Sequence, residues 1–115
     1  MKWFQYTQNN SGGHMTVNKY VSDYVLIQAP SATLADDHAV KIGIYFNGVE
    51  DGGDCECCGD RWGTAWKKGD SEPLIYGQPL SNYSEEVVRI YPYGSVEPVS
   101  IFDFQKNPPM VIEPS

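Results

Sequence analysis

Glycines and prolines divide this chain into short segments, and this punctuation constrains its fold more than any other feature. The sequence has 11 glycines and 8 prolines among 115 residues, and they separate the candidate strands from one another. Short segments of this kind are typical of small antiparallel sheets with tight connections. A chain of this length supports one domain, because two independent cores would each be too small to be stable.

Alternating large and β-branched residues predict six short strands. The first two flank the turn-forming segment 8–13, so they should pair as an antiparallel hairpin with a long loop. Glycine, proline and polar residues separate the remaining strands. The predicted strands are Trp3–Thr7, Asp23–Ala29, Arg61–Trp66, Pro73–Tyr76, Val87–Tyr93 and Val99–Phe104.

One helix is predicted from Ser31 to about Ile42. Ser31 can accept hydrogen bonds from the free amides of the first turn, and Gly43 falls where a left-handed glycine ends a helix. The apolar stripe at helical spacing consists of Ala35, Ala39 and Ile42, with Leu34 beside it. A strand over Val40–Phe46 is the competing interpretation, because alternate residues there are apolar. We favour the helix, followed by a short extended run Ile44–Phe46.

Together these elements predict an α+β fold: a small, mainly antiparallel sheet with one packed helix and a cysteine-bearing loop at one end. We expect a single α+β domain over residues 1–106. Residues 107–115 contain three prolines and should form an extended tail, because proline fixes φ and restricts the residue before it. The sequence leaves open whether this tail docks in cis or in trans.

The chain is acidic, with a net charge of −7 from 8 basic and 15 acidic residues. This balance argues against a nucleic-acid partner, since binding through phosphates requires a basic face. An acidic surface suits a basic protein partner, or serves solubility alone. The longest apolar stretch, Tyr24–Ile27, is far too short to span a membrane, and residues 1–6 lack the apolar core of a signal peptide. We therefore expect an intracellular protein that makes no membrane contact.

All three cysteines lie in the segment Asp-Cys-Glu-Cys-Cys-Gly-Asp-Arg-Trp. Cys55 and Cys58 have the spacing of half a zinc knuckle, and Cys57 offers a third thiolate. A fourth ligand would have to come from His14 or His38, and His14 lies in a glycine-rich loop that could fold over the cysteines. The candidate zinc ligands are therefore Cys55, Cys57, Cys58 and His14. A tight turn with partly buried free thiols is the alternative.

No arrangement typical of a catalytic site is visible in the sequence. It lacks the G-x-S-x-G, H-E-x-x-H and phosphate-binding glycine motifs. Redox chemistry at the cysteines is disfavoured because the neighbouring Asp54, Glu56 and Asp60 oppose thiolate formation. The same carboxylates lack the ligand spacing of an EF-hand calcium loop. We expect the protein not to be an enzyme.

Three segments together carry a family resemblance: Gln-Asn-Asn-Ser-Gly-Gly at 8–13, Ile-Gly-Ile-Tyr-Phe-Asn-Gly at 42–48, and the cysteine segment at 54–62. In this order and spacing they resemble a group of small, uncharacterised proteins of tailed bacteriophages. The resemblance covers residue 1 to about residue 66, and the cysteine segment is its most specific part. It implies synthesis in the cytoplasm of an infected bacterium, and it implies no particular activity.

These observations predict a non-enzymatic phage protein that binds a host or phage protein partner. Eight tyrosines and an aromatic content of 13% suit a protein-binding surface as well as a β-rich core. One alternative is a virion component, such as a capsid-associated or connector protein, held at both termini by its neighbours. Assembly as a homo-oligomer is also left open. A second alternative is a small zinc-binding protein with the metal at the cysteines.

Overall fold

The structure, a computed structural model, describes residues 1–9, 13–54, 59–65, 68–101 and 104. Its sheet and its single helix confirm the predicted α+β class. Within the described part of the chain, no helix is long and apolar enough to cross a membrane. The elements are β1 (Lys2–Thr7), β2 (Tyr24–Ala29), α1 (Ala32–Lys41) and β3 (Val88–Tyr91), with short 3₁₀ turns at Leu80–Asn82 and Glu85–Val87.

The three strands form one mixed sheet in the order β1-β2-β3. β1 and β2 pair antiparallel, from Lys2 opposite Ala29 to Thr7 opposite Tyr24, which confirms the predicted hairpin. β3 pairs parallel to β2, beginning with Val88 opposite Tyr24. Parallel neighbours need a long crossover connection, and here the chain between them contains α1 and the whole cysteine region. The sheet is thus half antiparallel and half parallel.

The sheet is covered on both faces, so the chain has two core clusters. Alternate side chains of each strand point to opposite faces. Phe4 and Tyr6 of β1 belong to the same core cluster as the fully buried Ala35 and Ala39 of α1, and the Tyr6 hydroxyl donates to Asp36 of that helix at 2.7 Å. Trp3 lies on the other face, which residues 75–104 cover. The buried residues of that second cluster are Trp3, Leu26, Ile75, Leu80, Val88, Ile90 and Ile101.

Both ends of α1 form as the sequence predicts. The Ser31 hydroxyl accepts a hydrogen bond from the Leu34 amide at 3.3 Å. At the other end Gly43 has φ of +106°, and the Ile44 amide donates to the Ala39 carbonyl at 3.0 Å. This is a Schellman cap, in which a glycine adopts the left-handed conformation that other residues avoid. The competing strand over Val40–Phe46 is excluded, because its first two residues belong to the helix.

Three of the six predicted strands are wrong over their described residues. Arg61–Trp66 forms no strand up to residue 65, because its side chains are held by contacts away from the sheet. Pro73–Tyr76 enters a tight turn, where Ile75 makes one bridge to Gln78. Val99–Phe104 makes one bridge at Val99 and then a helical turn, with the Phe104 amide donating to the Ser100 carbonyl at 2.9 Å. Alternating apolar residues in these segments fill the core without joining the sheet.

Candidate functional site

Described residues outside the sheet pair with the outer edge of β1 at its two ends. At one end, Trp3 and Asp70 exchange two backbone hydrogen bonds of 2.7 and 2.8 Å. At the other end, the Asn9 amide donates to the Arg61 carbonyl at 2.8 Å. The chain therefore meets this edge at Arg61 and again at Asp70. Between these two anchors, residues 62–65 and 68–69 make no backbone hydrogen bond to the strand, and we call these described residues the arch.

Under this arch, some backbone groups of β1 have no hydrogen-bond partner among the described residues. Successive residues of a strand direct their amides to opposite sides, so Gln5 and Thr7 point to the same edge as Trp3. The Gln8 amide confirms this alternation, since it donates inward to the Asp23 carbonyl at 2.8 Å. Among the described residues, no backbone partner lies opposite the outward groups of Gln5 and Thr7. An unpaired strand edge is a template for another strand.

A cleft of about 500 Å³ lies along this free edge. That volume is in the usual range of ligand-binding clefts. Its floor is the strand itself, and its walls come from the arch and from the turn at residues 76 and 77. The lining residues that matter below are Gln5, Thr7, Gly63, Lys68, Asp70 and Tyr76.

Tyr76 stands at the rim of the cleft in an unusual backbone conformation. Tyr76 has a φ of +50° and is 64% exposed, so packing in the core does not explain its left-handed backbone conformation. The Tyr76 amide donates to the Gln5 side-chain oxygen at 2.8 Å, and the Tyr24 ring meets the Tyr76 ring edge-on at 6.3 Å. A non-glycine residue with positive φ costs about 1–3 kcal/mol, and such strain clusters at functional sites. The structure thus holds an exposed aromatic ring beside the free strand edge.

The arch begins at a buried arginine that joins three separate segments. Arg61 is only 6% exposed. Its Nη1 donates to the Gln8 side-chain oxygen at 2.8 Å and to the His14 carbonyl at 2.9 Å. The Gln8 amide group in turn donates to the carbonyls of Thr16 and Ser22, at 2.9 and 3.0 Å. Arg61 therefore fixes the loop between β1 and β2 against the end of the cysteine segment.

Asp54 completes this network from the other end of the cysteine segment. One carboxylate oxygen accepts from the Arg61 amide at 2.8 Å, and the other accepts from the Tyr45 hydroxyl at 2.6 Å. Burial acts to raise the pKa of Asp54, but these hydrogen bonds and the Arg61 charge outweigh it and lower the pKa. The two residues that bracket the cysteines are thus held together.

The lowered pKa of Asp54 predicts a loss of stability in acid. A carboxyl group with a depressed pKa in the folded state stabilises the fold above its unfolded pKa, near 3.8, and loses this effect as the pH falls through the folded pKa. Asp54→Asn should therefore lower the free energy of unfolding by about 2 kcal/mol at pH 7, and by less at pH 3, which lies below the unfolded pKa. Urea denaturation at both pH values measures this. The exposed Asp51→Asn variant is the control, and an equal loss in both variants at pH 7 would contradict the prediction.

The structure places one of the four candidate zinc ligands. His14 is exposed, and its carbonyl contacts Arg61, so its backbone lies at the base of the cysteine segment. Cys55, Cys57 and Cys58 lie outside the described residues, and the zinc site stays a prediction. Among the residues that are described, no cluster of three or more histidine, cysteine and acidic residues could hold a metal ion. The other histidine, His38, packs edge-on against Tyr91 at 5.4 Å.

Sequence reasoning missed the residues that form the cleft. Gln5 and Thr7 look like ordinary strand positions, and nothing in their own sequence marks a free edge. Gly63 in the arch was the available signal, since a glycine in a predicted strand often marks a departure from the ladder. Arg61 was a second signal in the sequence. It follows several acidic residues and precedes Trp62, and a charged residue is buried in a protein almost only when it is paired.

Residues 1–108 match the family model described as Domain of unknown function (DUF7296). The match spans nearly all of the 115 residues and includes β1, the arch and β3. No curated protein and no solved structure matches the chain.

Proposed function

We propose that this chain, which belongs to the family of the domain of unknown function DUF7296, binds an extended segment of another protein at the free edge of β1. It acts by binding and not by catalysis. The observation that carries the proposal is the cleft along the outward backbone groups of Gln5 and Thr7. Strand addition to an exposed sheet edge is a common mode of peptide recognition, in which main-chain hydrogen bonds supply affinity.

The dimensions of the free edge limit the length of the bound segment. The covered positions Trp3 and Asn9 are six residues apart, which is about 20 Å along a strand. Between them, Gln5 and Thr7 are the outward-facing positions without a backbone partner among the described residues. The edge therefore pairs with about three or four residues of a partner, and Gly63, Thr64, Lys68 and Gly69 of the arch line the other side of the cleft.

Side chains around the cleft supply the specificity. Alternate residues of a bound strand point to opposite faces of the sheet, and one set would meet the exposed ring of Tyr76. Lys68 and Asp70 offer one charge of each sign. The net charge of −7 favours approach of a basic partner, because complementary long-range charge accelerates association. An extended, neutral or basic segment with an apolar residue fits these features best.

The resemblance to tailed-bacteriophage proteins supports a phage origin for the chain. The partner is then a host or phage protein in the cytoplasm of the infected bacterium. A partner that belongs to the virion would make this protein a virion component. Mass spectrometry of purified particles distinguishes these two settings, since a virion component is present at a fixed copy number.

The test compares two substitutions at one edge position. Thr7→Pro removes the outward amide, and proline is tolerated where the amide of an edge strand does not join the ladder. Thr7→Val keeps the amide, and both variants lose the hydroxyl that accepts from the Gln5 side chain at 2.7 Å. For a partner captured from infected cells, we expect Thr7→Pro to weaken binding at least about 10-fold relative to Thr7→Val. Equal affinities of the two variants would overturn the proposal.

A second substitution separates binding from folding. Tyr76→Gly removes the strain of the positive φ. The free energy of unfolding should therefore stay unchanged or rise by about 1 kcal/mol, and the thermal midpoint should not fall. The same change removes the exposed ring at the cleft, and we expect weaker partner binding. A variant that is stable and binds as well as the parent protein would exclude Tyr76 from the site.

A further inference from the structure

We infer that three tyrosines beside the outer edge of β1 receive a basic side chain of the bound segment. Tyr24, Tyr76 and Tyr83 form this group, which we call the tyrosine cluster. The inference rests on the proposed function of the cleft and adds what the partner must carry. The bound segment has a basic residue, best an arginine, opposite Gln5 or Thr7.

The rings of the tyrosine cluster lie in crossed planes. The ring centroids of Tyr24 and Tyr76 are 6.3 Å apart, with 90° between the ring planes. Those of Tyr24 and Tyr83 are 5.5 Å apart, at 67°. The Tyr83 hydroxyl also donates to the Ile75 carbonyl at 3.2 Å, which ties the turn that carries Tyr76 to the cluster. Crossed aromatic rings recur where proteins bind organic cations, because each ring is negative on its face.

The cluster lies on the face of the sheet to which the bound segment directs alternate side chains. Thr7 is opposite Tyr24 in the ladder, and opposite residues of neighbouring strands direct their side chains to the same face. Gln5 shares this face, because it is two residues from Thr7. A residue of the bound segment opposite Gln5 or Thr7 therefore points to the face of the tyrosine cluster, and its two neighbours point to the other face.

The distance to the rings favours a long side chain. Neighbouring strands are about 5 Å apart, so a segment added outside β1 lies about 10 Å from β2. Its side chain has to cross β1 to reach Tyr24, while Tyr76 already lines the cleft. Basic side chains have long apolar stems that can lie along such a surface and end in a charge. Arginine fits best, because its planar, weakly hydrated guanidinium stacks on aromatic rings.

A carboxylate beside the cluster favours a cation. Asp23 directly precedes Tyr24 in the chain. Burial, the neighbouring side chains of Tyr83 and Tyr76 and the charge of Asp23 together raise the pKa of Tyr24. The Asp23 carboxylate is therefore close enough to act on the Tyr24 hydroxyl. A positive charge placed at the rings would gain from the same carboxylate.

The same chemistry holds a cation elsewhere in this chain. The Lys19 ammonium lies 5.5 Å from the centroid of the Tyr20 ring and also pairs with the Glu97 carboxylate. In the part of the chain that the structure describes, no basic side chain lies in this way over the tyrosine cluster. Lys68 and Asp70, which line the cleft, contribute opposite charges. The rings can thus take the cation from a partner.

NMR titration of the full-length protein with two peptides tests the inference. One peptide is Thr-Val-Arg-Val-Thr, and the other has norleucine in place of arginine. Both are acetylated and amidated, and the Gln5 and Thr7 amide signals report binding at the edge. We expect the arginine peptide to bind about 3–10-fold more tightly, because it alone carries a cation to the rings.

Matched variants separate the cluster from the net charge of −7. Asp23→Asn and Asp51→Asn remove the same charge, but Asp51 is an exposed residue of another loop. Tyr76→Leu removes the aromatic face, whereas Tyr76→Phe keeps it. We expect Asp23→Asn and Tyr76→Leu to lower the preference for the arginine peptide at least about 2-fold, and the two controls to retain it. The ratio of the two affinities within each variant cancels effects on folding or on edge pairing.

The outcomes distinguish this inference from the proposed function. Equal affinities of the two peptides, with the Gln5 and Thr7 amides shifted by both, would overturn the cation site and leave strand addition intact. A preference for arginine that survives both Asp23→Asn and Tyr76→Leu would come from net charge alone and would also overturn it. If neither peptide shifts these amides, the edge does not accept a strand, and both proposals fail.

Discussion

Arg61→Met should lower the free energy of unfolding by about 3–5 kcal/mol, because it breaks a buried, hydrogen-bonded ion pair. The Arg61 side chain is 7% exposed and that of Asp54 is 1% exposed. Without the guanidinium, the oxygens of Gln8 and His14 lose a hydrogen-bond donor. The buried Asp54 carboxylate loses its neighbouring positive charge, whose Nε lies 3.8 Å from one carboxylate oxygen. The methionine side chain restores the volume, so the loss reports mainly the unsatisfied polar groups.

Chemical denaturation of the variant measures this loss, and Lys19→Met is the matched control. Lys19 also forms an ion pair, with Glu97, but its side chain is 59% exposed. Exposed pairs contribute about 0–1 kcal/mol. We therefore expect a loss at Arg61 several times larger than that at Lys19. Similar losses for the two variants would mean that Arg61 does not hold the three segments together.

Gly69→Ala should be the most damaging small substitution in the arch, with a loss of about 3 kcal/mol in the free energy of unfolding. Gly69 has φ of +61°, which costs a residue with a β-carbon about 1–2 kcal/mol. The added carbon would also lie 2.9 Å from the Lys2 β-carbon and 2.9 Å from the Phe4 ring. Such overpacking adds about 1–3 kcal/mol, because Phe4 is buried and cannot move freely.

Gly94→Ala separates the cost of the positive φ from the cost of overpacking against β1. Gly94 has φ of +81°, but an added β-carbon there meets no atom within 4 Å. It should therefore show the conformational cost alone, about 1–2 kcal/mol. Thermal denaturation of both variants gives the difference due to contact with β1. If the two glycines gave the same loss, the close approach of the arch to Phe4 would not constrain the fold.

Local chemistry made the first part of the chain predictable. Ser31 and Gly43 define the ends of α1 through contacts within a few residues, and such contacts form wherever the helix forms. β1 and β2 were predictable because each combines apolar alternation with flanking turn residues, and adjacent strands usually pair. The helix and the hairpin therefore appear in the structure close to their predicted bounds.

Later segments were not predictable in the same way. Residues 61–65 and 99–104 alternate like strands, yet their apolar side chains fill core clusters from outside the ladder. Trp62 and Ala65 are buried in the cluster on the helix face, while Gly63 between them lines the cleft beside β1. Apolar alternation reports burial, and a residue can be buried without pairing with another strand.

Composition and contacts between near neighbours are sufficient to predict the α+β class, the capped helix, the antiparallel hairpin and the acidic net charge. The parallel pairing of β3 with β2, which leaves β1 at an edge, is visible only in the folded chain. The same holds for the burial of Arg61 and for the path of residues 62–65 away from Gln5 and Thr7. These features depend on residues more than fifty positions apart, whose meeting no local pattern encodes.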